Sequence, residues 1–326
     1  MRKSLRLSSA ALGTAALSIA SLPAVNAKPA EIAQGTADDL GVMSVSLKNV
    51  VKPQVGFQGA LQGAGTPNQA GIGGFLPLKV NANSIWFLDA LANANFADYG
   101  NYSSIINTTV AGTTISTSSR LGYRWLNADR SWMYGINAGY DTRPMATGPA
   151  DTGVSVKSRS TVFFQQAAVN AEAVSDTWAF NAYALIPTGK TEAQLNSVYQ
   201  GGSLNTYGLD AGYNLTPELL ASVGYYYQHG DLNAADSSGV LGRLAYSIDN
   251  GLTVGANISY DDAFDTRVSA DIKWRFNTNC GSEKETPKTK LPKANAIEAL
   301  TSTPSNRGVR VHDGGFAIFV LISNDG

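Results

Sequence analysis

A two-residue alternation that recurs from residue 53 to residue 276 constrains this chain more than any other feature. In the segment 266–276, Thr266, Val268, Ala270, Ile272, Trp274 and Phe276 fall on one face. Arg267, Ser269, Asp271, Lys273 and Arg275 fall on the other, with four charges in five positions. The segment before it repeats the pattern, with Leu252, Val254, Ala256, Ile258 and Tyr260 against Thr253, Gly255, Asn257, Ser259 and Asp261. Earlier, Trp132, Tyr134, Ile136, Ala138 and Tyr140 alternate with Met133, Gly135, Asn137, Gly139 and Asp141. Period two is the signature of a strand with two different faces. About twelve such segments are bounded by Gly, Asn, Asp, Ser and Pro. They are 53–61, 71–78, 84–96, 112–126, 132–142, 160–173, 177–186, 203–215, 219–228, 239–248, 252–261 and 266–276. Leu185 and Leu241 break the alternation.

Most segments are near the length a tilted strand needs to cross a bilayer, roughly 9–11 residues. Asp, Glu, Lys and Arg make up 15% of the chain, well below the usual fraction of about a quarter. Mean hydropathy is −0.09, and after the N-terminus no apolar run reaches the roughly 18 residues of a spanning helix. Strands that alternate lipid-facing with lumen-facing residues cancel in such averages. In hydrocarbon every backbone N–H and C=O needs an internal partner, so the strands must close on themselves. The expected fold is therefore all-β, a membrane-spanning antiparallel up-and-down barrel of about 12 strands. The net charge of −1 gives no reason to expect nucleic acid as a partner.

The connections point the same way. Short ones fall near 80–83, 127–131, 174–176, 216–218 and 249–251, and long ones near 97–111, 143–159, 187–202 and 229–238. Short turns at one end and long loops at the other mark the two sides of an outer-membrane barrel. Asp249-Asn250-Gly251 has tight-turn chemistry. Trp125, Trp132, Trp178, Trp274, Tyr140, Tyr260 and Phe276 sit near segment ends, where interfacial girdles are expected.

The termini differ from the barrel region. Arg2, Lys3 and Arg6, an apolar stretch from Ala10 to Leu22, and small residues at Val25-Asn26-Ala27 read as an export signal over 1–27, cleaved after Ala27. Residues 28–52 read as a short periplasmic leader, and 277–326 as a C-terminal tail. In that tail a polar linker runs to Lys293, residues 294–300 have helical character, and 315–323 are apolar. The single cysteine, Cys280, excludes an internal disulfide.

Arg120-Leu121-Gly122-Tyr123-Arg124, followed by Trp132-Met133-Tyr134-Gly135-Ile136-Asn137-Ala138-Gly139-Tyr140-Asp141, resembles paired strands of the inverse autotransporter β-domain, the family of intimin and invasin. Leu209-Asp210-Ala211-Gly212-Tyr213 with Gly224-Tyr225-Tyr226-Tyr227 is similar to a later hairpin. Gly242-Arg243-Leu244 and Trp274-Arg275-Phe276 look like its closing strands. The resemblance spans roughly residues 70–276. It implies a secretion-type pore in the outer membrane, inserted by the barrel-assembly machinery and able to thread a chain through its lumen. Family members usually carry a long extracellular passenger, whereas 50 residues follow Phe276 here. Adhesion and invasion do not carry over.

The face opposite the lipid carries Arg120, Arg124, Asn137, Asp141, Glu172, Asp210, Arg243, Asp261, Arg267, Asp271, Lys273 and Arg275. These are the expected pore-lining residues, either as a hydrogen-bonded polar filling or as a charged pore or groove for the tail. No catalytic constellation, cofactor motif or metal-ligand spacing appears. His229 stands at a strand end near Asp231, Asp261 and Asp262, without the companion motif of a rim protease, and His312 lies apart in the tail. The chain is read as a non-enzyme with no cofactor. A translocation barrel with its own short tail is the first reading, and a passive porin-like channel or a structural envelope protein the alternatives. Outside the cell the apolar residues Phe316, Phe319 and Leu321 would meet water. That favours a tail docked in the lumen or at the periplasmic face, with a cysteine at position 323 shielded from outside reagents.

Overall fold

The computed structural model describes residues 45–61, 68–96, 108–110, 114–145, 147–150, 160–195, 199–230, 236–248, 251–262, 264–277 and 295–315. The expected signal over 1–27, most of the expected leader, Asp231, Asp249 and Asn250, Cys280, the expected linker to Lys293 and residues 316–323 lie outside them. In chain order the elements are α1 (Leu47–Val50), β1 (Gln54–Leu61), β2 (Asn68–Val80), β3 (Ser84–Phe96), β4 (Thr108–Val110), β5 (Thr114–Leu126), β6 (Trp132–Met145), β7 (Thr147–Ala150), β8 (Val162–Ser175) and β9 (Trp178–Thr188). They continue with β10 (Glu192–Gln194), β11 (Tyr199–Ser203), β12 (Asn205–Asn214), β13 (Leu219–His229), β14 (Ser237–Ile248), β15 (Leu252–Asp261), β16 (Asp265–Asn277), α2 (Asn295–Ala299) and β17 (Val311–Gly315).

Twelve strands form one closed antiparallel barrel in the order β1-β2-β3-β5-β6-β8-β9-β12-β13-β14-β15-β16. Closure comes from β1 against β16, with Gln54 opposite Asn277 and Leu61 opposite Ala270. An even strand number brings Gln54 and Asn277 to the same rim, the one that carries the short turns. The expected segments match the barrel strands in number and order, and 84–96 and 252–261 coincide with β3 and β15. Within the barrel, a register shift between Pro77 and Lys79 marks the ladder of β2 with β3 as irregular. Pro77 has no N–H to give to a ladder, so a bulge beside it is the natural accommodation.

The barrel inverts the soluble rule. Val268 is 69% exposed and Val223 68%, while Arg120, Arg124, Asp89 and Asp141 are all at 0%. An apolar band of this extent is stable only against lipid. Aromatic rings border it at both ends. Near the short turns Trp86, Tyr123, Trp125, Tyr134, Trp132, Phe180, Trp178 and Tyr213 form a continuous chain of ring contacts. Toward the long loops the outward rings include Phe96, Tyr140, Phe163, Tyr207, Tyr225, Tyr227 and Tyr260.

Among the described residues most buried apolar side chains gather in three clusters, with Leu91 and Phe264 among those outside them. At the short-turn mouth, Leu47 and Val51 from the α1 segment and Ala296, Ala299 and Leu300 from the α2 segment pack on Phe75, Ile85, Phe87, Leu126 and Met133. Ala168, Tyr183, Leu185 and Tyr226 form a second cluster, with Leu241 against it. This explains why Leu185 and Leu241 break the alternation. The third joins Met145, Val162, Phe164 and Leu195 to Val309 and Val311 of the tail, at the long-loop end.

Candidate functional site: the lumen and the segment that fills it

The tail enters the barrel by the short-turn mouth, where α2 packs against β6 and β8. From Leu300 it runs through the lumen, and inward side chains on the wall bind its carbonyls one after another. Arg124 Nη1 donates to the carbonyls of Leu300 at 2.9 Å and Ser302 at 2.8 Å. Arg120 Nη2 donates to Asn306 O at 3.1 Å, Gln166 Nε2 to Gly308 O at 3.2 Å and Arg143 Nη1 to Val309 O at 3.0 Å. The tail answers with Arg307, whose Nε donates to Ser118 Oγ at 2.8 Å and whose Nη1 pairs with Asp89. Arg310 lies over the Tyr226 ring, 4.4 Å from its centroid.

At the long-loop end the tail becomes strand β17. It pairs antiparallel with β11, from Val311 opposite Ser203 to Gly315 opposite Tyr199. With β10 these make a three-stranded sheet outside the barrel. Residues 295–310 thus lie at the short-turn mouth and in the lumen and 311–315 at the long-loop end, while residues 316–323, on which the expectation of a docked tail rested, lie outside the described residues. Open backbone hydrogen bonds on β11, together with Leu195 and Phe164 beneath Val309 and Val311, draw the chain to the far end.

All twelve residues expected to line the pore lie among the inward positions, and most are tied to one another. Arg120 and Asp141 form a buried bidentate pair, at 2.6 and 2.8 Å. Arg124 holds Glu172 at 2.7 and 3.1 Å, and Arg243 holds Asp271 at 2.5 and 3.0 Å. Arg267 pairs with Asp261 at 2.5 Å and Arg275 with Asp89 at 2.9 Å. Asn137 accepts from Asn170 at 3.2 Å, and Asp210 from Asn181 at 3.3 Å. Lys273 stands 4.0 Å from Asp271. Asp89, Arg143, Gln166, Asn170, Arg307 and Arg310 belong to the same network and escaped the sequence reading. Asp89 had a signal, as the one charge in the apolar stretch 84–96. Arg143 fell in what read as a loop, whereas β6 continues to Met145. Among the described residues the network holds nine cations, at 120, 124, 143, 243, 267, 273, 275, 307 and 310, against six carboxylates, at 89, 141, 172, 210, 261 and 271.

Close approach inside the barrel depends on inward glycines. A Cβ at Gly122 would overlap the Phe87 ring, and one at Gly239 the Tyr226 ring. Beside the tail a cavity of about 600 Å³ remains, lined by Gln58, Asp210, Ser222, Arg243, Asn257 and Lys273 among others.

The rims offer little chemistry. His229 Nδ1 and Asp236 Oδ2 lie 2.8 Å apart at the long-loop end, both well exposed. The backbone N–H of Gly230 and then His229 hold the Asp236 carboxyl below its ordinary range. In the turn after β5, the Ser131 hydroxyl does the same to Asp129. Asp261, expected at a neighbouring strand end beside His229, is instead engaged by Tyr226, Gln228 and Arg267. Among the described residues no group of three His, Cys, Asp or Glu could hold a metal.

The chain has the fold of an outer-membrane β-barrel. A structure reported in work on the in-meso crystallization of membrane proteins is similar to it over 80% of this chain and 100% of its own, with a TM-score of 0.55 and 11% identity. The COG4313 outer membrane channel from Pseudomonas putida F1 gives a TM-score of 0.46 at 10% identity, over 69% of this chain and 96% of its own. The beta domain of the Bordetella autotransporter BrkA gives 0.37 at 14% identity, over 70% and 99%. At these identities the likeness is one of fold. No family model matches the sequence, and no curated protein does either.

Proposed function

We propose that this chain is a translocation barrel of the inverse-autotransporter kind, which carries its own C-terminal segment from the periplasmic end to the cell surface. The path of residues 300–315 supports this reading most directly. They enter at the rim with short turns and end in a strand among the long loops. In outer-membrane barrels short turns face the periplasm and long loops the outside. The strand-by-strand resemblance over residues 70–276 points the same way. On this reading Arg120, Arg124 and Arg143 line the pore to hold carbonyls of an extended chain without reading its side chains. Insertion would call on the barrel-assembly machinery, as for any barrel of this class.

A passive porin-like channel is the second reading, and the open volume of about 600 Å³ beside the tail favours it. The two differ at the tail's end. In a chain with Cys280→Ser, a cysteine introduced as Ser323→Cys should react rapidly with a membrane-impermeant thiol reagent on whole cells. Protection of that cysteine until the cells are lysed would remove the translocation reading and leave the channel.

A further inference from the structure

The tail lies against one side of the lumen. Between Ser302 and Val309 its carbonyls and the Arg307 side chain are held from β3, β5, β6 and β8. The opposite wall, β12 to β16 with β1, presents small polar residues such as Ser222, Ser259 and Ser269. Between that wall and the tail lies the cavity of about 600 Å³, which follows the tail from Ser302 to Arg310. Two cations in its lining are poorly compensated. Lys273 Nζ is 4.0 Å from Asp271, whose two oxygens already accept from Arg243 at 2.5 and 3.0 Å. Arg310, toward the other end, donates to the neutral amide of Gln228 at 3.3 Å and faces the Tyr226 ring, with the Asp210 carboxylate as its nearby counter-charge in the cavity wall but no ion pair within 4 Å among the described residues.

We propose that this cavity is a hydrated site for small anions, and that it gives the tail-filled barrel a small, anion-preferring conductance. A cation in a low-dielectric enclosure is costly unless a counter-charge or water reaches it. Neither Lys273 nor Arg310 has a carboxylate to itself among the described residues, and a mobile anion supplies that counter-charge. A cleft lined mainly by one sign of charge concentrates ions of the other sign, and Lys or Arg in a pore selects for anions. The fitting ligands are small monovalent ions such as chloride or a short carboxylate, held by Lys273 and Arg310 with hydroxyl and amide groups between them. The inference rests on the threaded tail proposed above.

The test is the full-length protein in planar bilayers under a KCl gradient. The expected reversal potential has the sign for chloride permeating ahead of potassium. It should shift toward zero in Lys273→Gln and in Arg310→Gln, and toward potassium in Lys273→Glu. A wild-type barrel that does not conduct, or that prefers potassium, overturns the proposal, and so does a reversal potential that none of the three substitutions moves. Should a variant not fold, the sign measured on the wild type still decides. Surface labelling of Ser323→Cys separates the two readings. A labelled tail with potassium preference overturns only the anion site, whereas a protected tail overturns the threaded path and the anion site with it.

Discussion

At the scale of single residues, the two faces of each strand obey opposite rules, and substitution should expose the difference. Ile272 is 49% exposed on the outer face, and its neighbour Lys273 lines the internal cavity. Ile272→Arg puts a charge into lipid and should cost roughly 2–4 kcal/mol. Lys273→Gln leaves a polar group in a wet lumen and should cost much less. Urea titration of the folded barrel in bilayers reads both; equal losses would mean that the strand faces are misassigned. Inside, Arg120 and Asp141 are fully buried and bound through both carboxylate oxygens. Asp141→Ala strands a guanidinium and should cost about 3–5 kcal/mol. Replacing both partners together, as Arg120→Met with Asp141→Leu, should cost less than that single change, because no uncompensated charge remains. The same titration checks the order.

At the scale of elements, the barrel was legible and its contents were not. Alternation in 252–261 or 266–276 is a local property, so it fixes strand, phase and outward face without knowledge of any partner. Even Leu185 and Leu241, which break the phase, mark where the interior is apolar. The tail lacks such a signal. Arg124 meets Leu300 across 176 positions and Arg307 meets Asp89 across 218, and no periodicity encodes contacts so distant. Strands β10 and β11 were missed inside the long connection 187–202 for a related reason: β11 finds a second partner in β17, more than a hundred residues later. The helix α2 was foreseen at 294–300, but its seat was not. Leu300 is wholly buried there among Phe87, Leu126 and Met133. Leu300→Ala should remove about 2–5 kcal/mol of packing, and the loss should fall on the plug. Single-channel records should show more frequent large openings, while the barrel keeps its unfolding midpoint. A lowered midpoint with unchanged openings would instead make Leu300 part of the barrel's own core.

At the scale of the whole molecule, closure and filling are separate. The ladder that closes the barrel, β1 with β16, uses Gln54 to Leu61 and Ala270 to Asn277 and no residue of the tail beyond Asn277. The tail binds the wall through side chains: Arg120, Arg124, Arg143 and Gln166 on one side, Arg307 and Arg310 on the other. Without it those groups meet water that enters the emptied lumen, so their desolvation is relieved along with their bonds, and the cost to the barrel stays small. Export should proceed as usual, with cleavage after Ala27 and recovery in the outer-membrane fraction, which intact mass after fractionation checks. The cut must fall after Asn277, since that residue pairs with Gln54 in the closing ladder. A chain lacking 278–326 should therefore insert, resist unfolding nearly as the full chain does, and conduct several times more current, because α2 and residues 300–310 no longer occupy the lumen. Bilayer conductance and urea titration on the same preparation decide the matter. A truncated chain that fails to close would make the threaded segment a core of the fold, and a conductance unchanged from the full chain would mean that the tail does not obstruct the pore.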